Sequence, residues 1–248
     1  MTGAVFEDAR AAVADVDGWM TDGQARRLWD AAQRLAPGDR IVEIGSFRGR
    51  STTVLAMAAA PGVELVAIDP HAGNDRGPQE IEGFAAEAAV DHDIFHANLD
   101  KAGVGDRVRH VREFSHDALG AVDGHVDLLY IDGAHRYGPA LEDIQVWGSR
   151  VRNGGTMLIH DSFSSVGVTM AILRALTFGF RFRYVGRVGS MTEYRCELVA
   201  RRSRVANALH QLGELPWFVR NVTIKVLLLA RLKPLTRLLG HSQATWPY

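Results

Sequence analysis

The chain has 248 residues, 47% of them hydrophobic and 23% charged, which is enough to bury a large core as one domain. Its formal net charge of −1 argues against binding of nucleic acid. The single cysteine, Cys196, excludes an internal disulfide and a cysteine-rich metal site. The N-terminus lacks the pattern of a signal peptide, and no stretch reaches the roughly 18 apolar residues of a membrane span. We therefore expect a cytoplasmic protein.

Helical and strand patterns alternate along the chain. Residues 5–35 predict a helical region with a break at Gly18, and later helices are expected over 51–60, 80–102, 139–150 and 166–178. Short apolar runs predict seven strands, at 40–45, 64–69, 107–111, 126–132, 155–161, 181–186 and 194–200. This alternation predicts an α/β fold with a doubly wound, mostly parallel seven-stranded sheet, preceded by N-terminal helices.

The C-terminal segment differs from the rest of the chain in charge. Residues 201–240 carry eight basic residues and one acid, Glu214, a net charge of +7 that leaves −8 on residues 1–200. The stretch 215–235 predicts an amphipathic helix, which can pack on the body, pack on a second subunit as a homodimer contact, or lie on an anionic membrane. We divide the chain into an N-terminal helical cap (1–36), a catalytic domain (37–200) and a basic extension (201–248). Contact through 203–240 would place the protein peripherally on the inner face of the plasma membrane.

The stretch "IVEIGSFRGRSTTVLA" (41–56) predicts a strand, a glycine loop and a helix start. Gly45 and Gly49 allow a tight turn and close approach of a ligand, and Ser51 is expected to cap the helix. Asp69 ends the next strand, where a carboxylate can bind the hydroxyls of a ribose. The pattern therefore predicts a site for an adenosine-bearing cofactor.

The spacing of the two glycines argues against a dinucleotide. The nicotinamide fingerprint needs a further glycine that admits a pyrophosphate, and Phe47 and Arg48 stand in the middle of this loop instead. Glu43, inside the first strand, suits a cationic or amine-bearing ligand, although it can also serve only to accept hydrogen bonds from the loop. A nicotinamide dehydrogenase is therefore the weaker enzyme hypothesis.

Five segments in order resemble class I S-adenosylmethionine-dependent methyltransferases, in the branch that methylates hydroxyls of small molecules and sugars. They are "VEIGSFRGRST", "VAIDP", "VREFSHDAL", "YIDGAHRYGPALEDIQVW" and "GGTMLIHDSF". The resemblance implies a Rossmann-like methyltransferase fold over about residues 38–200, with S-adenosyl-L-methionine as cofactor. It implies cofactor-binding roles for Glu43, Gly45, Ser46, Gly49, Ser51, Asp69, Phe114 and Ser115.

Acids and histidines follow the fourth and fifth predicted strands. Asp132 and His135 follow the fourth strand, and His160 and Asp161 end the fifth, so the four side chains are expected to converge. An alcohol needs a base or a metal to become a nucleophile, and His135 and His160 are the candidate bases. Related hydroxyl methyltransferases bind a divalent ion at these strand ends, which implies Asp132 and Asp161 as ligands for Mg²⁺ or Mn²⁺, with His160 or water completing the set.

The resemblance predicts an O-methyltransferase acting on a hydroxyl of a sugar, glycan or glycolipid precursor. A polar segment at 71–83 is expected to cover the substrate and to offer hydroxyl-binding groups. A phenolic or polyketide acceptor is the alternative, since Trp147 and Phe163 can line an apolar pocket; a non-catalytic cofactor-binding adaptor is another. His92 and His96 have the spacing of a helical metal pair, but the sequence shows no third ligand.

Overall fold

The computed structural model describes residues 4–73 and 85–241, with backbone only for 85–87. One sheet of seven strands forms its centre. The strands are β1 (Arg40–Ile44), β2 (Glu64–Ile68), β3 (Val108–Val111), β4 (Val126–Ile131), β5 (Val151–Ile159), β6 (Phe182–Val188) and β7 (Met191–Cys196). Their order across the sheet is β3-β2-β1-β4-β5-β7-β6. Strand β7 runs antiparallel to β5 and β6, and the other neighbouring strands are parallel.

Helices cover both faces of this sheet. They are α1 (Phe6–Ala12), α2 (Asp22–Ala32), α3 (Arg50–Ala58), α4 (Ala85–Lys101), α5 (Tyr137–Glu142), α6 (Gly148–Arg150), α7 (Val166–Ala175), α8 (Arg201–Leu212), α9 (Leu215–Leu229) and α10 (Lys233–Thr236). One core joins the sheet to α1–α4 around Leu28, Leu55 and Phe95. The other joins it to α5–α7 around Trp147 and Ile172. The predicted fold class is confirmed.

The predicted cofactor region lies at the centre of the sheet. Strand β1 lies between β2 and β4, so strand order reverses beside it. In such sheets the carboxyl ends of the strands at the reversal form a crevice for ligands. Gly45, Asp69 and Asp132 all follow directly on strands at this edge.

Several element boundaries differ from the sequence prediction. The N-terminal region forms two helices on either side of the predicted break at Gly18, whereas the last strand occupies Met191–Cys196 rather than 194–200 because it forms an antiparallel pair with β6. Strand β5 begins at Val151, four residues early, because Val151 pairs with Val126 across a bulge. The helix predicted over 139–150 is interrupted by a π-helical segment, Asp143–Trp147.

The C-terminal helices pack on the body. Ile224 and Asn221 of α9 are buried, and the Asn221 amide donates to the Phe163 carbonyl at 3.1 Å. The Trp217 ring lies between the guanidinium groups of Arg187 and Arg220, at 4.1 and 4.7 Å. No helix within the described residues is both long and apolar enough to traverse a lipid bilayer.

Candidate active site

The glycine loop after β1 packs directly on the loop after β4. Gly45 has a φ of +83°, and a Cβ atom at this position would overlap the carbonyl of Asp132. The Asp132 amide donates to the Ile44 carbonyl at 2.8 Å, and the Gly45 amide donates to the Ile68 carbonyl at 2.9 Å. The end of β1 is therefore fixed between the ends of β2 and β4, and the predicted cofactor loop adjoins the predicted chemical end.

Asp69 holds the glycine loop through its carboxylate. One oxygen accepts hydrogen bonds from the Ser46 and Phe47 amides at 2.9 and 2.8 Å, and the other accepts from the His71 amide at 2.8 Å. The side chain keeps 15% of its surface exposed at the crevice. Asp69 thus organises the loop with its charge and still borders the place where a cofactor would lie.

Glu43 lies completely buried beneath the loop, where its carboxylate accepts hydrogen bonds from the hydroxyls of Ser51 and Thr52, the latter at 2.5 Å. Burial raises the pKa of Glu43 to about 8, although the two hydroxyl donors oppose the rise. The expectation that Ser51 caps α3 is wrong, because Gly49 occupies the cap position in a left-handed conformation. The hydroxyls of Ser51 and Thr52 instead point inward to the acid.

Phe114 and Ser115 lie after β3, at the predicted adenine region. Phe114 is 37% exposed and stacks on His116, with ring centroids 5.5 Å apart. The Ser115 hydroxyl donates to the Asp143 carboxylate at 2.5 Å, and burial raises the pKa of Asp143 to about 6. Asp143, in the π-helical segment, was not identified from the sequence, because only the fold brings it beside Ser115.

The four predicted polar residues after β4 and β5 do converge. His135 Nε2 lies 2.8 Å from Asp161 Oδ2, and His160 Nδ1 lies 3.1 Å from Asp132 Oδ1 and 3.5 Å from Asp161 Oδ2. The buried Tyr130 hydroxyl donates to Asp132 Oδ2 at 2.9 Å. Tyr130 is a second residue that the sequence did not reveal, since it lies inside an apolar strand.

The two histidines of this group differ in exposure and charge. Burial opposes charge on His160, but the adjacent Asp132 and Asp161 outweigh it and raise its pKa well above 6.5. Burial likewise opposes charge on His135, and the contact with Asp161 raises its pKa to a smaller extent. The side chain of His135 is 52% exposed, whereas that of His160 is 3% exposed. Substrate can therefore reach His135 but not His160.

The same cluster offers ligand atoms for a cation. One atom each from Asp132, His135 and Asp161 lie within 4.8 Å of one another. Two carboxylates and one imidazole fit Mg²⁺ or Mn²⁺. The sequence predicted His160 as the third ligand, whereas the imidazole nitrogen that lies in this group with the two carboxylates is that of His135.

Trp147 and Phe163, expected as candidates for an apolar substrate pocket, are 1% and 0% exposed, so neither lines an open cleft. The predicted polar cover over 71–83 falls mostly outside the described residues.

The central part of the chain matches a known family of protein domains. The family model described as a methyltransferase domain matches residues 42–162. Over 128 residues the chain is 27% identical to an uncharacterized protein, R132, of Acanthamoeba polyphaga mimivirus, covering 48% of this chain and 50% of that protein. The chain thus spans about half the length of the curated relative that it matches.

Solved structures share the fold at low sequence identity. The O-methyltransferase TomG of Streptomyces achromogenes, in complex with SAM, is 22% identical with a TM-score of 0.53, covering 77% of this chain and 89% of that one. An O-methyltransferase of Bacillus cereus, in complex with SAH, is 18% identical with a TM-score of 0.54, covering 77% and 90%. Cofactor-bound Rv0187 from MTB is 21% identical with a TM-score of 0.55, covering 77% and 89%.

These matches agree with the geometry of the glycine loop. The family match begins in β1 and ends just after Asp161, so it includes both ends of the crevice. The resemblance predicted from five sequence segments is confirmed, and the dinucleotide alternative loses its support. The chain resembles the class I S-adenosylmethionine-dependent methyltransferases in its fold and, over residues 42–162, in its sequence, and its structural neighbours include O-methyltransferases.

Proposed function

We propose that this protein transfers the methyl group of S-adenosyl-L-methionine to a hydroxyl of a sugar, glycan or glycolipid precursor. The observation that carries the proposal is the half-exposed His135, held 2.8 Å from Asp161 beside the cofactor loop. A base at this place suits an alcohol acceptor, which must lose its proton as the carbon–oxygen bond forms. The O-methyltransferases among the structural neighbours support the same acceptor atom.

The cofactor would lie along the edge formed by the ends of β1, β2 and β3. Gly45, Ser46 and Gly49 would approach its methionyl part, while Asp69 would meet the ribose hydroxyls. Phe114 and Ser115 would border the adenine ring, with the exposed face of Phe114 available for stacking. Glu43 and Ser51 act beneath the loop, since Glu43 is buried and bonded to the Ser51 hydroxyl.

The transfer is a displacement in which the acceptor oxygen attacks the methyl carbon and the carbon–sulfur bond breaks. S-adenosylhomocysteine leaves with the electron pair of that bond, and the hydroxyl proton passes to His135. If His135 Nε2–H donates to Asp161, its Nδ1 keeps the lone pair that accepts this proton. Asp161 orients the ring and stabilises the imidazolium that forms.

A divalent cation would be held by Asp132 and Asp161, with His135 as a third donor. When bound, such an ion would lower the pKa of a hydroxyl that coordinates it. His135 can serve as a ligand or as a base, and chelation separates these roles. If activity persists in chelator but is lost in His135→Ala, His135 acts as a base. If activity is lost in chelator and restored by Mn²⁺, the reaction needs the metal ion.

A sugar acceptor is preferred over a phenol because of the groups around His135. Asp132, Asp161 and the half-exposed imidazole form a polar surface, which suits an acceptor rich in hydroxyls. Trp147 and Phe163, which supported an aromatic acceptor, are buried.

Mass spectrometry of methyl transfer onto a panel of glycosides and phenols tests the proposal. We expect products 14 mass units heavier, as one methyl replaces one hydrogen, on glycosides and not on phenols, at about the same level in wild type and His125→Ala. Exclusive labelling of phenols would overturn the sugar preference. Cofactor binding without turnover on any acceptor would favour the adaptor alternative.

The proposal extends to the membrane through the C-terminal extension. Its outer surface exposes Leu229, Leu232, Leu235 and Leu238, interleaved with the exposed cations Arg231, Lys233 and Arg237. Apolar side chains among cations are typical of helices that adsorb to anionic lipid, where each nearby cation contributes about 1 kcal/mol. This surface would bring the crevice to a lipid-linked acceptor on the cytoplasmic leaflet.

Sedimentation of full-length protein with vesicles of phosphatidylcholine and phosphatidylglycerol tests this surface. Wild type should pellet with these vesicles and lose binding as salt is added, and Leu232→Glu combined with Leu238→Glu should not pellet. Phe178→Glu, an exposed apolar residue outside the extension, is the matched control. Equal pelleting of all three proteins would reject the membrane contact, and a monomer–dimer shift in the double variant would assign the surface to a second copy.

A further inference from the structure

A cluster of imidazoles lies next to the cofactor edge, at the outer end of the sheet. His92 and His96 are one turn apart on α4, and His110 lies on β3. The ring centroids of His92 and His96 are 4.8 Å apart, and that of His110 lies 5.3 Å from each of them. One nitrogen from each ring lies within 4.8 Å of the others. The fold therefore supplies the third ligand that the sequence did not show for the helical pair.

Two of these rings have a partner that fixes which nitrogen carries the proton. His110 approaches the Asp69 carbonyl through Nε2 at 3.2 Å, and His92 approaches the Asp93 carboxylate through Nδ1 at 3.3 Å. Because a carbonyl and a carboxylate only accept, these ring nitrogens must donate, which leaves a lone pair on the other nitrogen of each ring. Metal-ligating histidines have this arrangement, with an outer oxygen orienting the ring.

Burial, together with the neighbouring His71, lowers the pKa of His110 to about 4, and burial and His92 lower the pKa of His96. The side chain of His92 is 24% exposed and His96 is exposed, so an ion can enter from solvent.

We propose that His92, His96 and His110 bind a borderline transition-metal ion such as Zn²⁺, with water at the remaining coordination position. Three nitrogen donors favour Zn²⁺, Co²⁺ or Ni²⁺ over Mg²⁺, whereas the Asp132 cluster has two carboxylates and favours the harder ions. The two sites would therefore select different metals.

The bound ion would stiffen the cofactor loop. It would join α4 to β3 at His110, whose ring bonds to the Asp69 carbonyl, while the Asp69 carboxylate holds the loop amides. His71 packs against His110 with ring centroids 5.0 Å apart, and its Nε2 lies 2.7 Å from the Phe47 carbonyl. Metal binding should therefore increase both the thermal stability and the cofactor affinity.

Titration of the untagged full-length protein with Co²⁺, followed by visible absorption, tests the site. Wild type should develop the absorption band typical of Co²⁺ held by three nitrogen ligands, and Zn²⁺ should abolish that band by displacing Co²⁺. His96→Ala should bind Co²⁺ at least about ten-fold more weakly. His125→Ala, an exposed histidine outside the cluster, and Asp161→Ala, in the other cluster, should titrate like wild type.

Thermal unfolding gives a second readout that does not depend on absorption. Zn²⁺ should raise the Tm of wild type and of His125→Ala but not that of His96→Ala. The rings also pack around Phe95, with the His110 and Phe95 ring centroids 4.8 Å apart. If the cluster served only for aromatic packing, Zn²⁺ would not raise the Tm of any of these proteins. Equal Co²⁺ binding by wild type and His96→Ala, or no Zn²⁺ effect on any Tm, would overturn the proposal.

Discussion

The glycine loop after β1 packs on the carboxylates of Glu43 and Asp69, and the loops after β4 and β5 carry those of Asp132 and Asp161, but different groups compensate the two pairs. Hydroxyls and backbone amides surround Glu43 and Asp69, so the cofactor end is built from neutral donors. Imidazoles surround Asp161, so the acceptor end is built from charge pairs. Neutral donors give a rigid cradle, whereas a charge pair can exchange a proton. We therefore infer that cofactor binding and proton transfer occupy separate strand ends of one crevice.

The largest expected effect separates the two ends. His135→Ala should slow methyl transfer by about 10²–10⁴-fold, because a general base of this kind contributes that much to the rate. Its affinity for S-adenosylhomocysteine should change by less than about twofold, since His135 lies at the acceptor end. Single-turnover kinetics with the best glycoside acceptor measures the rate, with His125→Ala as control.

Gly45→Ala should disturb both the glycine loop and the loop after β4, because the two loops are in contact at this residue. The added methyl group would overlap the Asp132 carbonyl, and alanine would be strained at a φ of +83°. We expect a loss of about 3 kcal/mol in cofactor binding, roughly a hundredfold in Kd, measured by calorimetry with S-adenosylhomocysteine. Gly120→Ala, which meets no atom within 4 Å, is the control. Unchanged cofactor binding by Gly45→Ala would show that the glycine loop can shift to accommodate the added methyl group, contrary to this prediction.

Glu43→Gln should change how stability depends on pH. The pKa of Glu43 is raised from 4.5 to about 8, so its contribution is complete below about pH 4.5 and is lost as pH rises towards 8. Between about pH 5.5 and pH 7, wild type should lose of the order of 2 kcal/mol of unfolding free energy that the variant keeps. Urea unfolding at both pH values measures this, with the exposed Glu7→Gln as control. Parallel pH dependence in the three proteins would mean that Glu43 is ionised in the fold.

The smallest expected effect concerns the adenine region. Phe114→Ala should weaken binding of S-adenosylhomocysteine by about 1 kcal/mol, roughly fivefold, because one stacking face is lost. Phe178→Ala, 76% exposed and outside the crevice, should leave the Kd unchanged. Equal Kd values for both variants would remove Phe114 from the cofactor site.

Strands and loops could be predicted from the sequence because their signals are local. Apolar runs located all seven strands, and Gly45 and Asp69 follow directly on β1 and β2, as the sequence predicted. The early start of β5 could not be predicted, since Val151 becomes a strand residue only through pairing with Val126.

The state of individual side chains depended on contacts far apart in the chain. The sequence predicted that Asp132, His160 and Asp161 converge, but not that the two carboxylates together raise the pKa of the buried His160 well above 6.5. His110 lies on another element from His92 and His96, so the third imidazole of that cluster had no local signal. Ser51 looked like a helix cap because its inward contact with Glu43 exists only in the folded core.

Paired measurement of binding and turnover on His135→Ala and Asp69→Asn tests the separation of the two ends most directly. Calorimetry with S-adenosylhomocysteine and single-turnover methyl transfer would be run on the same protein samples. We predict that His135→Ala binds S-adenosylhomocysteine like wild type and transfers methyl at least about a hundredfold more slowly. Asp69→Asn should instead bind S-adenosylhomocysteine more weakly than wild type. Loss of binding in His135→Ala in step with its loss of turnover would contradict the account.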